Sequence, residues 1–254
     1  YNKLSIKSKE DYVYYLKRWS DDKATHTTLY ASRIADLTTP AMQRIYDLHA
    51  SHSISLANHV LAVYRLMFSY AIRNGFCTFN PFTAVKKQTS KPRRVTWERE
   101  HIKAFMSVAF SNYQTRSLGL IVYTAYCAAQ RLGDMRLLTW DSYDVDTGVL
   151  SLTQRKRRAR VSIPLPQDLQ QMLKQQHNEM GWQKYVFPTQ RTVAGILQPY
   201  SLQGLAKAGR VIMEDAQLPV ELQLMDLRRT AVTEMVMAGV ATTNIMSLTG
   251  HATP

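Results

Sequence analysis

Residues 149–164 read VLSLTQRKRRARVSIP. Two short apolar and β-branched runs, 149–153 and 160–163, flank a basic turn, Arg155-Lys156-Arg157-Arg158. The pattern predicts a β-hairpin with cations at its tip, entered through the turn Asp146-Thr147-Gly148. On both sides the periodicity is helical. Upstream, Thr96 is a candidate cap for a helix carrying Ile102, Phe105, Met106 and Ala109, and a second helix spans 118–129. Downstream, 167–180, 201–216 and 226–238 have helical spacing, with Gly239 as a stop. Residues 96–254 therefore read as a mostly helical domain with one small antiparallel β-sheet.

Residues 1–85 read as a small all-helical bundle. Ser8 is a candidate cap, with Glu10 and Asp11 in the first turn and Tyr12, Tyr15, Leu16 and Trp19 at helical spacing. Thr39-Pro40 marks another start, followed by Met42, Ile45 and Leu48. Ser55 opens the strongest helix, with Leu56, Val60, Val63, Met67 and Ala71 as its apolar stripe and Gly75 as its end. Asn80-Pro81 reads as a turn. Residues 86–95 lack apolar periodicity and contain Lys86, Lys87, Lys91, Arg93 and Arg94. They form an exposed linker, either a plain solvated connection or a strap along phosphates. The chain is thus mainly α, in two domains.

An excess of 32 Lys+Arg over 19 Asp+Glu gives a formal net charge of +13. Polyanions are the expected partners, nucleic acid before anionic membrane. No stretch approaches the ~20 apolar residues of a membrane span. Cys77 and Cys127 sit in apolar helical runs, which predicts buried free thiols in a reducing cytoplasm rather than a disulfide framework or zinc site. No HExxH motif and no carboxylates clustered beside histidines are present, so neither metal nor cofactor is expected. The start lacks both an initiator Met and a signal peptide, which suggests a fragment at that end.

Three further basic clusters carry candidate chemistry. Arg131, within Ala129-Gln130-Arg131-Leu132-Gly133-Asp134, falls at the end of an apolar helix. It either satisfies the last carbonyls or is a partly desolvated cation oriented by Asp134. Met225-Asp226-Leu227-Arg228-Arg229-Thr230 is either a solvated helix start or a site, since a base at a helix N-terminus is unfavourable. Leu248-Thr249-Gly250-His251 ends on a histidine that alone reads as a surface residue, and Lys156 alone reads as a solvated charge.

Taken in order, these segments resemble the tyrosine recombinase (phage integrase) family over nearly the whole chain. Arg131 with Asp134, Lys156 on its hairpin, Arg228 and His251 match the family's motifs. Gln154-Arg155-Lys156 with Val161-Ser162-Ile163-Pro164 is similar to its hairpin, and Tyr185-Val186-Phe187-Pro188 to the tract that follows. Phe68 to Pro81 resembles the end of its first domain. The resemblance implies a SAM-like core-binding bundle and a catalytic domain that cleaves and rejoins double-stranded DNA. Cleavage would pass through a 3′-phosphotyrosine, without metal or ATP, to integrate or excise a mobile element.

It further implies Arg131 and Arg228 as phosphate clamps, Lys156 as general acid, His251 as phosphate or nucleophile partner, and Asp134 holding Arg131. Lys86, Lys87, Lys91, Arg93, Arg94, Arg155 and Arg157 would contact DNA. A tetramer on DNA, a monomeric fragment in solution, DNA-bending accessory proteins and a cytoplasmic, nucleoid-associated location follow from the same likeness. Two departures stand out. Met225 occupies a variable position where the family has His, and a thioether cannot donate a hydrogen bond to phosphate. Losing such a donor costs roughly 3–4 kcal/mol of barrier stabilisation. All fourteen tyrosines lie at or before Tyr200, so the nucleophile is expected beyond Pro254 and this fragment is expected to be inactive. The alternatives are a catalytically silent DNA-binding regulator and a general basic nucleic-acid binder.

Overall fold

The computed structural model describes residues 4–20, 32–156 and 158–251. The chain divides into two compact units, Tyr1–Arg93 and Arg94–Pro254. Among the described residues no helix is long and apolar enough to cross a membrane.

The first unit contains helices α1 (Ile6–Ser20), α2 (Thr39–His52) and α3 (Ile54–Arg73). Each expected cap moves to a nearby hydroxyl. Thr38 rather than Thr39 accepts from Ala41 N, and Ser53 rather than Ser55 accepts from Leu56 N. Ser5 rather than Ser8 accepts at the start of α1, from Ser8 N. An N-cap needs extended backbone, which Thr38 and Ser53 have, whereas Thr39 and Ser55 lie inside their helices. The buried face of α3 is Ala57, Val60, Leu61, Val63, Tyr64 and Phe68, so of the expected stripe Val60 and Val63 are buried and Met67 is exposed. Leu48 of α2 is exposed too. The Trp19 side chain lies outside the described residues.

Phe82, fully buried, packs its ring 5.1 Å from Tyr64 and 5.2 Å from Phe68. The start of the basic linker is fastened to this unit. Gln43 bonds both backbone groups of Lys86, Gln88 N donates to Tyr46 Oη at 2.6 Å, and Asn58 donates to Gln88 O at 2.9 Å.

The second unit is built around α5 (Tyr113–Cys127), whose Leu118, Leu120, Ile121, Val122, Thr124 and Ala125 are all buried. A helix apolar on several faces belongs in the middle of a core. Against it pack α4 (Arg99–Phe110), α7 (Gln167–Met180), α8 (Leu202–Asp215) and α9 (Leu227–Met237). Glu98, with His101, caps α4 in place of Thr96. Trp97 anchors that turn, its backbone N donating to Thr230 Oγ1 and its indole to Gln223 O.

The hairpin forms in an antiparallel three-stranded sheet, β1 (Tyr143–Asp144), β2 (Val149–Thr153) and β3 (Arg160–Pro164). Leu150 faces Ile163 on the buried side, and Ser151 faces Ser162 on the exposed side. A second hairpin, β4 (Pro188–Val193) and β5 (Ile196–Pro199), was not legible in the sequence. Its turn residues Ala194 and Gly195 both have positive φ, +49° and +77°, a primed turn made without the usual Asn-Gly. The short helix α10 (Thr242–Thr249) closes the described chain.

Candidate active site

Helix α5 stops at Cys127, four residues before Arg131. Arg131 is therefore not a C-terminal cation on that helix, as the sequence suggests, but the N-cap of the single turn α6 (Leu132–Met135). Its Nη1 donates to Gln154 Oε1 at 3.0 Å. Asp134 is buried, and its Oδ1 accepts from Arg155 N at 3.2 Å while its Oδ2 stays 4.0 Å from Arg131 Nη1. The carboxylate thus ties the hairpin tip to α6 and makes only a long ionic contact with Arg131.

Arg228 and Arg229 are sorted by Asp226, which is fully buried at the start of α9. Asp226 Oδ2 accepts from Gln223 N, and Oδ1 accepts from Arg229 Nη1 at 3.1 Å. Arg229 also donates to Val95 O. Arg228 turns the other way, and its Nη2 donates to Thr249 O at 2.6 Å. The acid offsets the cost of two cations at a helix N-terminus.

His251 follows Gly250, which ends α10 in the left-handed region at φ +67°. Thr249 Oγ1 donates its one hydrogen to Ile245 O at 2.6 Å, so at 2.7 Å it accepts from His251 Nδ1. That assigns the proton to Nδ1 and leaves the lone pair of a neutral ring on Nε2.

Two carboxamides absent from the sequence expectations join these pieces. Gln154, 0% exposed, accepts from Arg131 and donates from Nε2 to Gln130 Oε1 and to Thr249 O, both at 2.7 Å. Gln130, 1% exposed, donates to Ala128 O and Leu248 O. Buried amides that satisfy one another pin three chain segments together.

An open cavity of about 660 Å³ receives Arg131, Lys156 and Arg228 together, with Met225 also in its wall and 71% exposed. Arg210 of α8 is a fourth cation there. Nothing in the sequence singled it out from an ordinary amphipathic helix. No acid and no tyrosine lines this cavity among the described residues. Leu132, Leu202, Leu205 and Leu224 form its apolar part. His251 is not among the lining residues and connects to the site through Thr249.

Arg155 is exposed at the hairpin tip and, after burial itself, its charge helps lower the pKa of the Arg136 guanidinium. Arg157 lies outside the described residues. Lys86, Lys87, Lys91 and Arg94 are exposed, Arg93 is half-buried, and none lines the cavity. Cys77 and Cys127 are free but only half-buried, less enclosed than expected. No group of three His, Cys, Asp or Glu able to hold a metal occurs among the described residues.

A model of the phage integrase family matches residues 97–254. Similar solved structures include a lambda integrase dimer bound to a COC′ core site, at TM-score 0.81 and 19% identity, covering 99% of this chain and 90% of that one. A lambda integrase tetramer bound to a Holliday junction matches at 0.81 and 19%, over 99% and 73% of the two chains. The Tn1549 transposon integrase in complex with circular intermediate DNA matches at 0.77 and 14%, over 99% and 88%. At these identities the likeness is one of fold. No curated protein matches in sequence.

Proposed function

The chain belongs to the phage integrase family, and on that premise we propose that it is the DNA-binding and catalytic body of a site-specific recombinase. The observation that carries the proposal is the convergence of Arg131, Lys156 and Arg228 in one cavity whose described lining includes no acid. Such a site suits a phosphodiester, whose non-bridging oxygens gain charge as a fifth oxygen approaches phosphorus. Arg131 and Arg228 clamp those oxygens with forked, permanently charged donors. A tyrosine hydroxyl brought to this cavity attacks phosphorus, the 5′-oxygen leaves, and Lys156 at the tip of a hairpin protonates it. The bond energy is kept in a 3′-phosphotyrosine, so neither ATP nor metal enters the step. His251 Nε2, which carries the lone pair, takes the proton from the attacking hydroxyl, and only once protonated can it donate to a phosphate oxygen. Asp134 fixes the hairpin that carries Lys156 through its bond to Arg155 N.

Double-stranded DNA is the partner, held by the exposed cations of the linker and hairpin tip, with residues 1–85 as the core-binding domain. A tetramer on DNA is the working assembly, as in the lambda integrase complex with a Holliday junction. A second reading, a silent regulator that occupies recombination sites, is favoured by Met225, which offers no hydrogen-bond donor in the cavity wall.

Covalent trapping separates the two. The complete gene product is mixed, without metal, with nicked duplexes from the ends of the element that carries the gene. An adduct that survives denaturing electrophoresis, and falls about 100-fold or more in Arg228→Ala while DNA affinity changes little, supports the recombinase. Tight, salt-sensitive binding with no adduct refutes it and leaves the regulator.

A further inference from the structure

Two of the arginines of the cavity, Arg131 and Arg228, are joined through shared partners. Arg131 donates to Gln154 Oε1, Gln154 Nε2 donates to Thr249 O, and Arg228 donates to the same carbonyl. One buried amide and one peptide oxygen thus set the spacing of both guanidiniums. Gln130 braces the relay by accepting from Gln154 and holding Leu248 O. Gly250 closes it from outside, since a Cβ there would come within 2.9 Å of both polar atoms of Gln154.

We propose that Gln154 is a positioning residue for the phosphate clamp, and that its neutrality is the point of its chemistry. A carboxylate at that position would also accept from Arg131, but it would offset the cation's charge and shrink the field at phosphorus. It would also face the Thr249 carbonyl and Gln130 Oε1 with no hydrogen to give. The carboxamide orients Arg131 and leaves its charge intact. Asp134 already sets one carboxylate 4.0 Å from Arg131 Nη1, with its Oδ1 committed to Arg155 N, so a second acid at position 154 would offset the cation further. Gln154 touches neither phosphate nor nucleophile and acts through Arg131 and, by way of Thr249, Arg228.

The inference rests on the recombinase reading, and its test keeps the two apart. Gln154→Glu and Gln154→Met are compared with the parent gene product in single-turnover cleavage of nicked duplex. Each is expected to lose about 100-fold or more in rate, with duplex affinity close to the parent's and a lowered melting temperature, because Gln130 Oε1 and Thr249 O lose their donor. Rates are compared at a temperature where all three proteins are folded. The same rates are then measured on a duplex whose scissile phosphate is a methylphosphonate, uncharged at the non-bridging position. There the defect of Gln154→Met shrinks towards the parent, because the arginines have less charge to stabilise. An equal defect on both substrates would mean a merely structural residue and overturn the proposal. Parent-like cleavage of phosphate by Gln154→Glu would overturn it as well. Should the parent itself form no adduct, the recombinase reading fails, and the Arg131 side chain decides the matter in this chain. Its Nε–Hε resonance, assigned by Arg131→Lys, is expected to shift and broaden in Gln154→Met. An unchanged resonance would refute positioning independently of any cleavage.

Discussion

Replacing Gly250 with alanine is expected to destabilise the second unit by about 2–5 kcal/mol, a sum of two separable costs. The first is conformational. Gly250 has φ +67°, and an L-residue in the left-handed region loses roughly 1–2 kcal/mol. The second is steric. The new Cβ would lie 2.9 Å from Gln154 Nε2 and Oε1 and 3.0 Å from Ala159 Cβ. Gln154 cannot retreat without breaking bonds to Gln130, Arg131 or Thr249 O, and one buried polar group left unsatisfied costs about 1–3 kcal/mol. Gly239→Ala is the internal control. It too has positive φ, +75°, but open space around its Cβ, so only the conformational cost applies. Urea unfolding followed by tryptophan fluorescence measures both, since Trp97, Trp140 and Trp182 all belong to this unit. A larger loss at Gly250, by about 1–3 kcal/mol, supports a fixed Gln154. Equal losses at the two glycines would refute the reasoning, because they would show that the amide moves aside freely.

Phe187→Ala, at a fully buried ring of the second core, is expected to cost about 3–5 kcal/mol in the same unfolding assay. Burial, the largest cause, pushes the Cys127 thiol from 9.0 up to about 12. Its thiolate fraction at pH 8 is then about a thousandfold below that of an ordinary thiol, and iodoacetamide labelling followed by mass spectrometry should find it correspondingly slow. The same shift stabilises the fold fully below pH 9 and is lost as pH rises from 9 towards 12, because the unfolded chain ionises first. Cys127→Ala is expected to flatten that alkaline decline in urea midpoint, leaving the part due to Tyr123 and Tyr126, which burial raises in the same direction. Alanine at Lys86, Lys87 and Lys91 together should reduce the slope of log affinity for duplex DNA against log salt by about 0.9 for each phosphate no longer neutralised. An unchanged slope would show the strap does not lie on DNA.

The elements legible in the sequence were those whose local signals agree with their burial. The hairpin at 149–164 alternates cleanly because one face packs on the core and the other faces water. The long helices announce themselves by apolar periodicity, as in α3, or by a nearly continuous apolar run, as in α5. The exact caps did not, because Thr38-Thr39 and Ser53-Ile54-Ser55 offer competing hydroxyls and only backbone conformation chooses between them. The β4–β5 hairpin was hidden because its turn, Ala194-Gly195, and its mostly exposed β4 strand carry little strand signal. Gln130, Gln154 and Arg210 were hidden for a different reason. A glutamine or arginine in a sequence looks solvated by default, and the burial of the two glutamines depends on partners more than twenty residues away.

The sequence by itself determined the class of the protein. Composition, a basic linker, a cationic hairpin tip and the order of Arg131, Lys156, Arg228 and His251 are properties of local chemistry and spacing, and they survive in one dimension. Only the tertiary structure decided how those residues are arranged and what each one bonds. It assigned Arg229 to Asp226 and Arg228 to Thr249, made Arg131 a helix cap rather than a helix end, and placed neutral amides between the cations. The physical reason is that a hydrogen bond in a buried site depends on direction and distance to within tenths of an ångström. Those quantities are fixed by the packing of α5, α9, α10 and the hairpin against one another, not by any residue's neighbours in the chain.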